Sequence, residues 1–190
     1  LFLNGALPDI VNRTNACFGF GAAASTNQQY SLYVVSETGR LTMDTWSYNT
    51  STDCIVSGVR NTGSVDMRVG WISSNATSFT LDIIDAPTAT VVVFWLALNG
   101  GQYKVGSWLS ISTAATEVVS GIGFTGNAVL FANPEPITAS LFTNNLVNFG
   151  AADSNASSRC AFVHDRDATA SAVTAILTTS TNCVHYATAT

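Results

Sequence analysis

The chain has 190 residues, of which 47% are hydrophobic and 10% charged, with a formal net charge of −5. A single lysine, Lys104, and no basic cluster argue against a nucleic-acid surface, which needs grouped Lys and Arg. The longest apolar run, 91–98, is too short to cross a bilayer, which takes about 20 residues.

Taken in order, the chain opens at Leu1 on a strand-like stretch with neither a Met start nor a signal segment, so we expect a processed product or a piece of something longer. Residues 19–24 and 150–152 are rich in Gly and Ala, which weaken strands. They imply either close backbone packing or a ligand groove. Runs rich in Val, Ile, Thr and aromatics predict strands over 30–36, 65–72, 78–84, 90–98, 103–111 and 127–132. Within 78–84, Phe79, Leu81 and Ile83 alternate onto one face. The run 90–98 is uniformly apolar, as for a central strand covered on both faces. Asn99-Gly100 after it is a strong hairpin signal. Further turn signals fall at 37–39, 61–63, 85–87 and 133–136. Helix formers are scarce, and only 168–176 carries a short-helix alternative. The fold class is all-β, an antiparallel β-sandwich or closed barrel.

The last third copies the first. At an offset of 129, residues 130–190 align without a gap on residues 1–61, with 16 identities in 61 positions. Leu1-Phe2-x-Asn4 matches Leu130-Phe131-x-Asn133, Phe20-Gly21-Ala22-Ala23 matches Phe149-Gly150-Ala151-Ala152, and Cys54 matches Cys183. We therefore expect a degenerate repeat of about 129 residues.

Cys17, Cys54, Cys160 and Cys183 have no CxxC spacing, which disfavours zinc. Of the three pairings open to four cysteines, we favour disulfides Cys17–Cys54 and Cys160–Cys183, one in each copy, which imply an oxidising compartment. Asn12, Asn49, Asn75 and Asn155 head Asn-x-Ser/Thr sequons that suit the same setting.

From residue 78 the pattern is Ser-Phe-Thr-Leu-Asp-x-x-Asp-Ala-Pro, then Val-Val-Val-Phe-Trp-Leu-Ala-Leu-Asn-Gly-Gly, then Lys104-Val-Gly-Ser-Trp108, and later Val119-Ser-Gly-Ile-Gly-Phe124 and Ala128-Val-Leu-Phe131. This resembles a repeat in structural proteins of tailed bacteriophages and metagenomic virions, over nearly the whole chain. Trp95-Leu96-Ala97-Leu98-Asn99-Gly100 is also similar to the closing strand of the H-type lectin sandwich, over about half of it. The resemblance implies a jelly-roll or H-type-lectin-like sandwich cut into two partial units, 1–101 lacking its first strands and 102–190 lacking its last. Such units leave unpaired sheet edges, to be completed within the chain or by a neighbouring subunit.

His164-Asp165-Arg166-Asp167 is the densest polar cluster and reads as a charged turn rather than a metal or acid–base site. His185 reads as a strand residue near Cys183, and the scattered aspartates make no calcium loop. No nucleophile sits beside a base, and no cofactor motif is present. The expectation is a non-enzymatic structural subunit of an extracellular assembly, a virion surface or tail component or an appendage filament, whose partners are other copies of itself. The alternative is a carbohydrate-binding module in which exposed Trp46 and Trp108 stack on sugars.

Overall fold

A computed structural model describes residues 1–5, 16–37, 44–58, 64–109, 116–134, 145–155, 157–165 and 174–184. It is all-β. The strands are β1 (Phe2–Gly5), β2 (Ala16–Ser25), β3 (Gln28–Glu37), β4 (Asp44–Thr50), β5 (Ile55–Gly58), β6 (Val65–Ser74), β7 (Phe79–Asp85), β8 (Val92–Trp95), β9 (Ala128–Pro134), β10 (Asn145–Asp153), β11 (Ser158–Asp165) and β12 (Thr174–Thr179). They form three antiparallel sheets, in the orders β4-β3-β2-β1-β8, β5-β6-β7 and β12-β11-β10-β9.

The five-stranded sheet is the middle layer, because β3 is apolar on both faces. Tyr33, Val35 and Val56 form one buried cluster with Cys17, Trp46 and Tyr48, and Phe2, Cys54, Ile55, Met67 and Val69 form another beside it. Both lie between the middle sheet and β5–β7. Leu32 and Val34, on the other face of β3, pack with Val147, and the Phe149 ring fits between Phe18 and Phe20, 5.3 and 5.4 Å from their centroids. Period-two alternation thus sends successive β3 side chains into two different cores.

The β9–β12 ladder has the register of β1–β4. Phe2 faces Gly21, Gly21 faces Ser31, and Ser31 faces Thr50; 129 residues on, Phe131 faces Gly150, Gly150 faces Cys160, and Cys160 faces Thr179. The turn after the fourth strand repeats as well. The Thr50 and Thr52 hydroxyls are 2.9 Å apart, and those of Thr179 and Thr181 are 3.1 Å apart. The likeness covers four strands; among the described residues nothing after β12 corresponds to β5–β7.

Several expectations are corrected. The run 90–98 supplies only β8, which is an edge strand of the middle sheet with Phe94 and Trp95 exposed, not a central strand. An apolar run reports what a segment avoids, and does not say on which side a partner lies. Residues 103–109 are not a strand, so Asn99-Gly100 turns the chain, Gly100 at φ 87°, without closing a hairpin. Residues 110 and 111 lie outside the described residues. Thr174–Thr179 is strand, against the short-helix alternative. Phe79 and Leu81 pack against the core, but Ile83, two positions on and paired regularly with Val69, is exposed. The expected boundary at 101/102 lies among residues 96–109, which form no strand.

Candidate functional site

The glycine-rich strand is where the first copy is closed. Gly21 is buried, and a Cβ there would run into the Cys54 carbonyl. Cys54 N–H donates to the Val69 carbonyl at 2.8 Å, so the absent side chain lets the link from β4 to β5 lie flat on the middle sheet. Gly150 is placed likewise under the Cys183 carbonyl. Close backbone approach is therefore the role of both glycines. Beside Gly150, a shallow cavity of about 440 Å³ opens among Arg159, Cys160 and Thr179; Arg159 spends its guanidinium on the Ser158 and Ser180 carbonyls at 3.2 and 2.8 Å.

None of the four cysteines is in a disulfide. The Cys17–Cys54 pairing is not formed, for a geometric reason. Cys17 precedes Gly21 by four strand positions, roughly 13 Å, whereas a disulfide requires α-carbons within about 7 Å. Each thiol packs in its own cluster, Cys17 with Tyr33 and Cys54 with Phe2. Cys160 and Cys183 both border Gly150 and remain unbonded; burial, then the neighbouring Cys183, pushes the Cys160 thiol up. The Cys54 thiol, which donates to the Val69 carbonyl at 3.4 Å, is pushed up to about 12 chiefly by burial. Neither resembles an activated nucleophile, which needs a lowered pKa.

The sequons fall into different settings. Asn75 and Asn155 sit exposed at the β6–β7 and β10–β11 turns, Asn49 lies within β4 opposite Leu32, and Asn12 is outside the described residues. Asn75 Oδ1 accepts from the Thr77 and Ser78 backbone N–H groups at 2.9 and 2.8 Å, which shapes its turn. His164 and Asp165 close β11; Asp167, Arg166 and His185 lie outside the described residues. Among the described residues no three His, Cys, Asp or Glu side chains are grouped to hold a metal. Of the two sugar platforms of the alternative reading, Trp46 packs partly buried against the Tyr33 cluster and Trp108 is exposed.

What the residues do assemble is two sheet edges, open among the described strands, each carrying exposed apolar side chains. β8 ends the middle sheet and β9 ends the four-stranded one. On β8 and just after it, Phe94 is 68% exposed, Trp95 61% and Leu96 52%; on β9, Leu130 is 65% exposed and Val129 42%. Leu98, Trp108, Leu109 and Val118, between the two strands, are exposed too. Large apolar side chains exposed together along each of these edges exceed the scatter of single exposed residues usual on a monomer, and mark two interaction surfaces. In the sequence, residues 90–98 read as a covered central strand and 127–132 as a strand, and no residue in them signals exposure.

No protein-family model, curated protein or solved structure matches this chain.

Proposed function

We propose that the chain is a non-enzymatic building block of an extracellular assembly, acting through contacts with other copies of itself. The observation that carries this is the pair of open sheet edges, β8 and β9, flanked by exposed Phe94, Trp95, Val129 and Leu130. An open edge offers unpaired N–H and C=O groups, and apolar side chains beside it lose about 25 cal/mol of stabilisation for each Å² left in water. Pairing with another subunit removes both costs. A weakly charged surface rich in Ser, Thr and Asn, with exposed sequons at Asn75 and Asn155, fits an extracellular setting. A virion surface or tail component and a secreted appendage filament both fit this reading. Sedimentation velocity over a hundredfold concentration range tests the reading. Growth of species larger than the monomer is expected, and a chain that stays monomeric throughout overturns it. The glycan-binding alternative now rests on Trp108, and it requires array binding that Trp108→Ala abolishes.

A further inference from the structure

The inference concerns how one copy meets the next, and it rests on the assembly reading above. β1 carries Leu1-Phe2-x-Asn4, and the chain covers its edge with β8: Phe2 faces Trp95, Leu3 faces Phe94, and Leu1 and Leu96 exchange N–H···O bonds of 3.1 and 2.9 Å. Its counterpart β9 carries Leu130-Phe131-x-Asn133 and pairs with β10 just as β1 pairs with β2. No described strand covers it on the other side. β9 therefore presents an edge equivalent to the one that the inner side of β8 covers in the first copy.

Parity fixes which backbone groups are free. In an antiparallel ladder, alternate residues turn their N–H and C=O to opposite sides. Since Leu96 bonds to Leu1, Val92 and Phe94 also turn toward β1, and Val93 and Trp95 turn outward. The Asn127 carbonyl accepts from Ser154 N–H, so Val129 and Phe131 turn toward β10 while Leu130 and Ala132 turn outward.

The geometry points to head-to-tail assembly in which the outer edge of β8 pairs, antiparallel, with the open edge of β9 in a second copy. Setting Trp95 opposite Leu130 and Val93 opposite Ala132 matches the free donors and acceptors. This register sets Trp95, 61% exposed, opposite Leu130, 65% exposed, and places Phe94 on the half-buried Phe131 and Leu96 on Val129, so exposed apolar side chains of both strands are covered. The middle sheet of one copy then continues into the four-stranded sheet of the next. Because the two edges differ, the contact is heterologous and propagates rather than closing a two-fold dimer.

Proline at an outward-facing position removes an edge donor and leaves the inner ladder intact. Val93→Pro blocks the β8 edge and Ala132→Pro blocks the β9 edge. Each variant alone is expected to sediment as a monomer, and an equimolar mixture as a 1:1 dimer through the one intact edge of each. Phe94→Lys and Leu130→Lys, both at exposed positions, repeat the design without a backbone change, and circular dichroism confirms that each variant folds. If the wild-type chain assembles and either proline variant still forms polymers, the pairing is wrong while the assembly reading stands. Single variants that dimerise with themselves indicate an isologous β8–β8 or β9–β9 contact and overturn the head-to-tail arrangement. A wild-type chain that never leaves the monomer overturns both.

Discussion

The Arg68 guanidinium grips the buried Asp53 carboxylate at two points, Nε to Oδ2 at 2.7 Å and Nη2 to Oδ1 at 3.2 Å. The Asp53 side chain is fully buried, that of Arg68 is 38% exposed, and the hydrogen bond from Arg68 to Asp53 holds the guanidinium pKa above its usual value. Thr52 Oγ1 adds a third donor at 3.2 Å, and the Asp53 backbone carbonyl accepts from Ser31 Oγ at 3.0 Å. One residue thus ties the turn after β4 to β6 and to the middle sheet. In the second copy Asn182 stands at that position.

Removing the arginine should therefore cost more than removing the charge it meets. Arg68→Met strands a buried carboxylate, and we expect a loss of about 2–3 kcal/mol, reduced from the fully buried case because the guanidinium is partly solvated. Asp53→Asn keeps the volume and two acceptor contacts, and about 1 kcal/mol is expected. Urea denaturation of both variants and the double variant measures the coupling. Asp53→Asn proving the more damaging would contradict this account.

Gly21→Ala should rank among the worst substitutions in the chain, since the new methyl meets a backbone carbonyl that cannot rotate away. Overpacking of this kind costs about 3 kcal/mol, or about 6–12 °C in Tm for a chain this size. Gly106→Ala is the control. No atom lies within 4 Å of its new methyl, and a change under about 0.5 kcal/mol is expected. Calorimetry showing equal shifts for both would refute the close-approach role.

Stability should fall on the alkaline side because of Cys54. Its folded thiol is raised from 9.0 to about 12, so the unfolded chain loses that proton first. Above pH 9 the unfolded state binds fewer protons than the folded one, and stability declines by up to about 1.4 kcal/mol per pH unit as pH rises toward 12. Burial acts in the same direction on Tyr33, above the usual tyrosine range. Denaturant midpoints between pH 8 and 11 should drop for the wild type and less steeply for Cys54→Ala. Parallel slopes would show that other groups carry the effect.

Secretion from a glycosylating host separates the sequons. Asn75 and Asn155, exposed at turns, should carry glycan, whereas Asn49 within β4 should not. Mass spectrometry before and after enzymatic deglycosylation reads this directly. Modification at Asn49 would require β4 to be open when the enzyme acts.

The all-β class was legible because alternation such as Phe79-x-Leu81 and the shortage of helix formers are local properties. The copying of residues 1–61 by 130–190 was visible in the sequence, while the matching register of β9–β12 came from the structure. Copied residues at Gly21 and Gly150 meet copied constraints, and strand pairing shifts in whole residues or not at all. Tertiary structure alone decided where each apolar strand would end up. The Val, Phe and Trp of 91–95 fit a buried strand and an edge strand equally well, and only the sheet order leaves Phe94 and Trp95 on the rim. The cysteines behave likewise, since separation along the chain says nothing about the four strand positions between Cys17 and Gly21. Trp46 and Trp108 offer the same chemistry, and the chain packs one, half-buried, against the Tyr33 cluster and leaves the other exposed. Composition and periodicity set what each segment prefers, but burial and partners are properties of pairs of segments, which become defined only when the sheets stack.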